Sequence, residues 1–186
     1  MMRFALCLLL VCASASGAVQ SPRGWPRGEL TYHADVPKKF QSAVDACFAQ
    51  WQEAANGGLA FMRVKNEEDA AIVLKWVHDE KWGGTITAAS AVIHNADGVI
   101  QGATISFNAD GFIWHVGKPW GGEIRFGKKS KAEFTGCCLH EIGHCLGLTA
   151  HSNDPRSCMF ACLHAESQII GDEDKKRIRK IYKGRK

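Results

Sequence analysis

The sequence has no internal repeat and no low-complexity tract, which excludes solenoid and fibrous architectures. Past residue 20 it has no uninterrupted apolar run near the ~20 residues a helix needs to cross a bilayer, so no membrane span is expected. Neither sign of charge dominates, since 23 lysines and arginines against 19 acidic residues leave +4. That surplus sits mainly in KKRIRKIYKGRK at the end of the chain, just after the acidic GDED. Aromatic residues do not alternate with these charges as a nucleic-acid surface requires. Acidic residues at the start and basic ones at the end suit the dipole of a solvated helix instead, and no nucleic-acid partner is expected. Cys158 and Cys162 form a CxxxC pair with no matching second pair, so nothing supports a metal held by cysteines alone.

What is present is a chain of 186 residues, 46% of them hydrophobic. That is enough for one domain with a real core and too short for two comfortable ones. The N-terminus, MMRFALCLLLVCASASGAVQ, sets Arg3 ahead of an apolar run from Phe4 to Val11, followed by small residues where a signal peptidase cuts. Residues 1–18 are read as a secretory signal, residues 19–29 as a short Pro/Gly linker, and residues 30–186 as one domain. Without the signal, Cys47, Cys137, Cys138, Cys145, Cys158 and Cys162 enter an oxidising compartment, where three disulfides are expected. Cys138 and Cys145 cannot bond to each other, because seven residues of helix separate them by about 10 Å. Their partners are sought in Cys47, Cys158 and Cys162.

GELTYHA reads as a strand. From Val36 the apolar residues Val36, Phe40, Val44, Cys47, Phe48 and Trp51 recur at helical spacing, and this helix ends near Asn56-Gly57-Gly58. LAFMRV and AAIVLKWV follow as strands, the second apolar enough for the middle of a sheet. ASAVIHN and GATISFN are strands on either side of a turn, ADGVIQG. A polar stretch over residues 128–133 leads into a helical pattern from Phe134 to Leu148, with Gly147 near its end. DEDKKRIRKIYK closes the chain as an amphipathic helix with Ile178, Ile181 and Tyr182 on one face. This order predicts a single α/β or α+β domain.

The Phe134 helix contains HEIGHCLGLTAH, residues 140–151. Residues four apart on a helix differ by about 40° in direction, so His140 and His144 point the same way and can share one ion. Glu141 stands beside them, where a carboxylate can take a proton from a metal-bound water. Zinc lowers the pKa of such a water toward ~7, and the carboxylate then acts as general base and general acid in amide hydrolysis. His151 is a third histidine a few residues beyond the glycine.

HEIGHCLGL followed by HSNDPRSCMF resembles the active site of the metzincins, and specifically of the matrixins, the matrix metalloproteinase catalytic domains. Their pattern is HExxHxxGxxH followed by a Met-turn. LTYHADVP, residues 69–76, AVIHNADG, ISFNADGFIW and DKKRIRKIYKG are similar to successive matrixin segments, so the likeness runs from Leu30 to Gly184. It implies a five-stranded twisted mixed sheet with two packed helices, one of them the active-site helix, then a Met-turn and a C-terminal helix. It implies one catalytic zinc on His140, His144 and His151, with Glu141 as catalytic residue and Met159 as an apolar floor. It also implies an extended protein or peptide substrate lying along an edge strand near Ala88 to Asn95.

The sequence departs from that pattern in three places. The family's third histidine falls three residues after the glycine, which here is Ala150, and His151 comes one later. HSNDPRS fits the family without a gap, so the reading is one inserted residue within LTA, with His151 as ligand. A two-histidine site completed by Asp154, or a damaged site, are the alternatives. The family's structural zinc and calcium sites look depleted, because His78 and His94 are kept while Ser106 and Asn108 stand where His and Asp are common. No prodomain is recognisable, and SPRGWPRG lacks the cysteine with which the family caps its zinc.

The resulting expectation is a secreted, monomeric zinc endopeptidase. Its rival is a zinc-binding but catalytically silent secreted protein that captures peptides or matrix, against which the presence of Glu141 argues. Another metzincin branch with cysteine-stapled loops, such as the adamalysins, is a third reading.

Overall fold

The helical spacing that starts at Val36 becomes α1 (Lys38–Ala54), which buries Phe40, Ala43, Val44, Cys47, Phe48, Trp51 and Ala54. This is the stripe of one helix face, and each large side chain so buried contributes about 1.5–3 kcal/mol. The helix ends where Asn56 and Gly57 take positive φ values of 49° and 83°, a conformation these residue types tolerate best. The computed structural model describes residues 24–26, 28–78, 89–109, 112–116, 123–127, 130–161 and 169–184.

Below α1 lies a sheet of β1 (Glu29–Asp35), β2 (Ala60–Arg63), β3 (Ile72–Val77), β4 (Ala89–Ala96) and β5 (Val99–Asn108). Their order is β2-β1-β3-β5-β4. Three of the pairings are parallel, while β4 runs antiparallel to β5 at the edge, so the sheet is mixed as expected. The apolar β3 occupies the middle. Between the sheet and the helices, Tyr32 stacks on Phe48 at 3.9 Å, Phe40 on Phe134 at 4.3 Å, and Phe107 meets Phe134 at 4.8 Å. Phe134 belongs to α2 (Lys131–Cys145), so α1, α2 and the sheet share one core.

Four features differ from the sequence reading. The turn between β4 and β5 is only Asp97-Gly98, with φ of 53° and 76°. Two residues in that conformation suit the twist of a hairpin, and Val99, Ile100 and Gln101 already belong to β5. A register shift between His94 and Asn95 interrupts this hairpin. Second, β6 (Phe112–Val116) and β7 (Glu123–Gly127) form a separate antiparallel pair that was not read from the sequence. Strands of five residues set among glycines are too short to display a period. Third, Trp25, placed in the linker by its Pro/Gly neighbours, is 3% exposed and belongs to the core. Fourth, no disulfide forms among the described residues. Cys47, Cys137, Cys138, Cys145 and Cys158 are buried thiols, packed as small apolar groups, and Cys162 lies outside the described residues.

The last helix, α3 (Asp172–Ile181), buries Ile178, and Tyr182 follows in the core. Its charges are less solvated than the sequence suggested. Asp174 is fully buried, and Arg179 Nε donates to Ala54 O at 2.8 Å, tying α3 to the end of α1. No helix among the described residues is long and apolar enough to cross a membrane.

Candidate metal centre

The helix carrying HEIGH is fixed at both ends. Ser130 Oγ accepts from Glu133 N at 3.2 Å and Glu133 Oε2 accepts from Ser130 N at 2.7 Å, a reciprocal cap that defines the first turn. At the other end Gly147 has φ +97°, Gly147 N donates to His144 O at 2.9 Å and Leu148 N to Gly143 O at 3.0 Å. That is a Schellman termination, which calls for glycine at the reversing position. The last carbonyls are taken by side chains: Trp25 Nε1 donates to Cys145 O at 2.8 Å and Tyr182 Oη to Leu146 O at 3.0 Å. Halfway along, Trp51 Nε1 donates to Leu139 O at 3.0 Å.

The structure brings His140, His144 and His151 together, with one ring nitrogen of each within 4.8 Å of the others. His140 Nε2 and His144 Nε2 are 3.0 Å apart. Their Nδ1 atoms face carbonyls, Cys158 O at 2.7 Å and Leu148 O at 2.8 Å. A proton on each Nδ1 leaves the Nε2 lone pairs facing the shared space, which is the tautomer a metal requires. Burial lowers the pKa of His140 to about 3, with His144 adding to the effect, and lowers His144 to about 4. Both rings are therefore neutral donors at physiological pH. Glu141 is 3% exposed, burial raises its pKa to about 8, and its Oε2 has no hydrogen-bond partner. Three neutral imidazoles beside an unpartnered carboxylate oxygen fit a zinc ion with an open position. Asp154 stands outside this group, forked to Arg156 at 3.1 and 3.0 Å.

The LTA segment lies outside the helix, which ends at Cys145. Leu148 is buried and completes the Schellman turn, whereas Thr149 and Ala150 are exposed. Thr149 N turns back to Gly147 O at 3.0 Å, and His151 then joins the other two histidines. A loop past a helix end absorbs a residue with little effect on the core.

Met159 is 0% exposed and packs against the active-site helix at Gly143. A Cβ added there would lie 2.3 Å from Met159 Sδ and 2.9 Å from Trp51 Cζ2. Gly143→Ala should therefore cost about 1–3 kcal/mol through overpacking, despite the higher helix propensity of alanine. Urea unfolding of the metal-free protein checks this, and an undiminished midpoint would show that Met159 moves aside freely. The turn is held from below as well: Met159 N donates to Ser157 Oγ at 2.9 Å, and Ser157 Oγ donates to Asp174 Oδ2 at 2.5 Å. Gly171 N also donates to Asp174 Oδ2 at 3.0 Å.

Asp174, Ser157 and Arg177 were not singled out in the sequence. The available signal was Asp174 as the third residue of a helix beginning at Asp172, a position where a carboxylate caps the N-terminus. His78 and His94 are both exposed, and among the described residues the histidine trio alone forms a group able to hold a metal.

The sequence profile of the family described as Matrixin matches residues 25–183. No curated protein matches the chain. Two solved structures of myroilysin share its fold at 14% identity. One gives a TM-score of 0.52 over 87% of this chain and 96% of the other, and the second gives 0.51 over 87% and 86%. The histidine trio and the profile match over most of the sequence lead to one assignment: the chain belongs to the matrixin family of zinc metalloendopeptidases.

Proposed function

We propose that this protein is a secreted, monomeric endopeptidase that cleaves extracellular proteins, with its catalytic zinc on His140, His144 and His151 and with Glu141 moving the proton. The convergence of three neutral imidazoles beside the unpartnered Glu141 Oε2 carries this reading. When bound, zinc supplies the Lewis acidity that activates a water and polarises the scissile carbonyl. The carbonyls of Cys158 and Leu148 hold His140 and His144 in the donor tautomer. Glu141 Oε2 accepts the water's proton. The same oxygen, buried and without another hydrogen-bond partner, then passes the proton to the departing amine. Met159 keeps the floor of the site dry. An extended substrate adds as a further strand along β4, the sheet edge.

Secretion rests on residues 1–18. In an oxidising compartment, Cys47 of α1 and Cys138 of α2, both buried in the shared core, are candidates to pair.

The reading is tested on protein secreted by expressing cells. Its N-terminus should lie beyond residue 18, and it should hold one zinc per chain and cut quenched peptides. Cleavage should vanish with 1,10-phenanthroline and return with zinc. One zinc per chain with no cleavage across a diverse peptide library would establish the silent binder instead.

A further inference from the structure

We infer that Arg177 is the positioning residue for the third zinc ligand, fixing the backbone from which His151 projects. This rests on the reading of His151 as a ligand. Arg177 Nη2 donates to Ala150 O at 2.6 Å, so the guanidinium grips the carbonyl immediately before His151. On the far side, Ser152 N donates to Met159 O at 2.8 Å. The two bonds bracket the histidine, one from α3 and one from the Met-turn.

The bracket matters because of the inserted residue. Between the Schellman turn and Ser152, Thr149 N to Gly147 O is the loop's own backbone bond, and Thr149 and Ala150 are exposed. Nothing in so short an exposed loop selects one backbone path, and a ligand projecting from it would lose orientation on binding metal. Arg177 supplies the missing constraint from a rigid element. It is itself oriented, because its Nη1 lies 3.8 Å from Asp174 Oδ1, and Asp174 is buried and held by Ser157 and Gly171. The guanidinium thus makes one hydrogen bond, to Ala150 O, while standing in an ion pair with Asp174, and a lysine ammonium does not reproduce that planar reach.

The positive charge of Arg177 near His144 and His151 opposes a dication. Its presence there is explained by geometry rather than by attraction. Removing the charge would tighten zinc while losing the grip would weaken it, so the informative variant keeps the charge.

The test uses the full chain with Arg177→Lys. Zinc affinity is measured by competition with a chromophoric chelator, metal-free stability by urea unfolding, and site geometry by the visible absorption of the cobalt(II) form. The expected result is zinc binding weakened about tenfold or more, as for other groups that orient a ligand, with an altered cobalt(II) spectrum and an essentially unchanged metal-free midpoint. The same substitution on a His151→Ala background should weaken zinc no further. Wild-type affinity in Arg177→Lys would overturn the inference, and so would equal weakening in both backgrounds, which marks a general structural role. A parent chain that binds no zinc would overturn the proposed function itself.

Discussion

Glu141→Gln cuts a quenched peptide about 10²–10⁴-fold more slowly than the parent while still holding one zinc per chain. The glutamine amide is nearly the same size and leaves the His140, His144 and His151 cluster in place, so metal binding persists. What it cannot do is accept and return a proton. Equal loss of zinc and activity would place Glu141 in the structure of the site rather than in its chemistry. Undiminished cleavage would remove it from the mechanism.

The same substitution has a second, opposite effect on the metal-free protein. Burial raises the Glu141 carboxyl from its ordinary 4.5 to about 8 in the fold. The stability contributed by the neutral carboxyl is complete below pH 4.5 and is lost as pH rises through 8. Glutamine never ionises, so metal-free Glu141→Gln should match the parent near pH 4.5 and exceed it by on the order of 4 kcal/mol at pH 8. His140 and His144, held down to about 3 and 4, contribute stability that is complete above pH 6.5 and lost on acidification. They are common to both proteins and cancel in the comparison. Chelator-treated samples unfolded in urea across this range supply the measurement, and a difference that does not grow with pH would contradict it.

Asp174→Ala should be the most damaging change away from the metal. It leaves the Ser157 hydroxyl and the Gly171 N–H without their acceptor in a buried region and deprives Arg177 of its counter-charge. Loss of one partner from a buried polar network costs about 3–5 kcal/mol. Since Ser157 also accepts from Met159 N, zinc affinity should fall along with the unfolding midpoint. Asp174→Asn keeps the shape and one acceptor oxygen and should fall between. A loss under about 1 kcal/mol for the alanine variant would show that water replaces the carboxylate without difficulty.

Much of this arrangement was legible because it depends on local periodicity. The helix face from Phe40 to Trp51, the apolar β3 and the four-residue spacing of His140 and His144 each follow from one element's own geometry. The intact register of HSNDPRS pointed to LTA as the place of the irregularity, and Thr149 and Ala150 there are exposed. The rest depends on contacts between distant segments. Trp25 sits among prolines and glycines that signal a linker, yet its indole serves a carbonyl 120 residues away. Asp174 and Arg177 lie in a charge run that is locally indistinguishable from a solvated helix face. The five described cysteines are buried thiols, and their number alone did not reveal how they pack.

The three side chains that hold the active-site helix by its carbonyls come from Trp25, Trp51 and Tyr182. Two precede the helix in the chain and one follows it. Contacts spanning such lengths form late, because loop closure must come before them. During synthesis, residues up to His151 can emerge well before Tyr182 is available. The end of the helix beside His144 gains this support only when Tyr182 is in place. Support for the helix end beside His144 is thus complete only once Tyr182 has packed, and a chain that stops short of Tyr182 lacks the bond to Leu146 O.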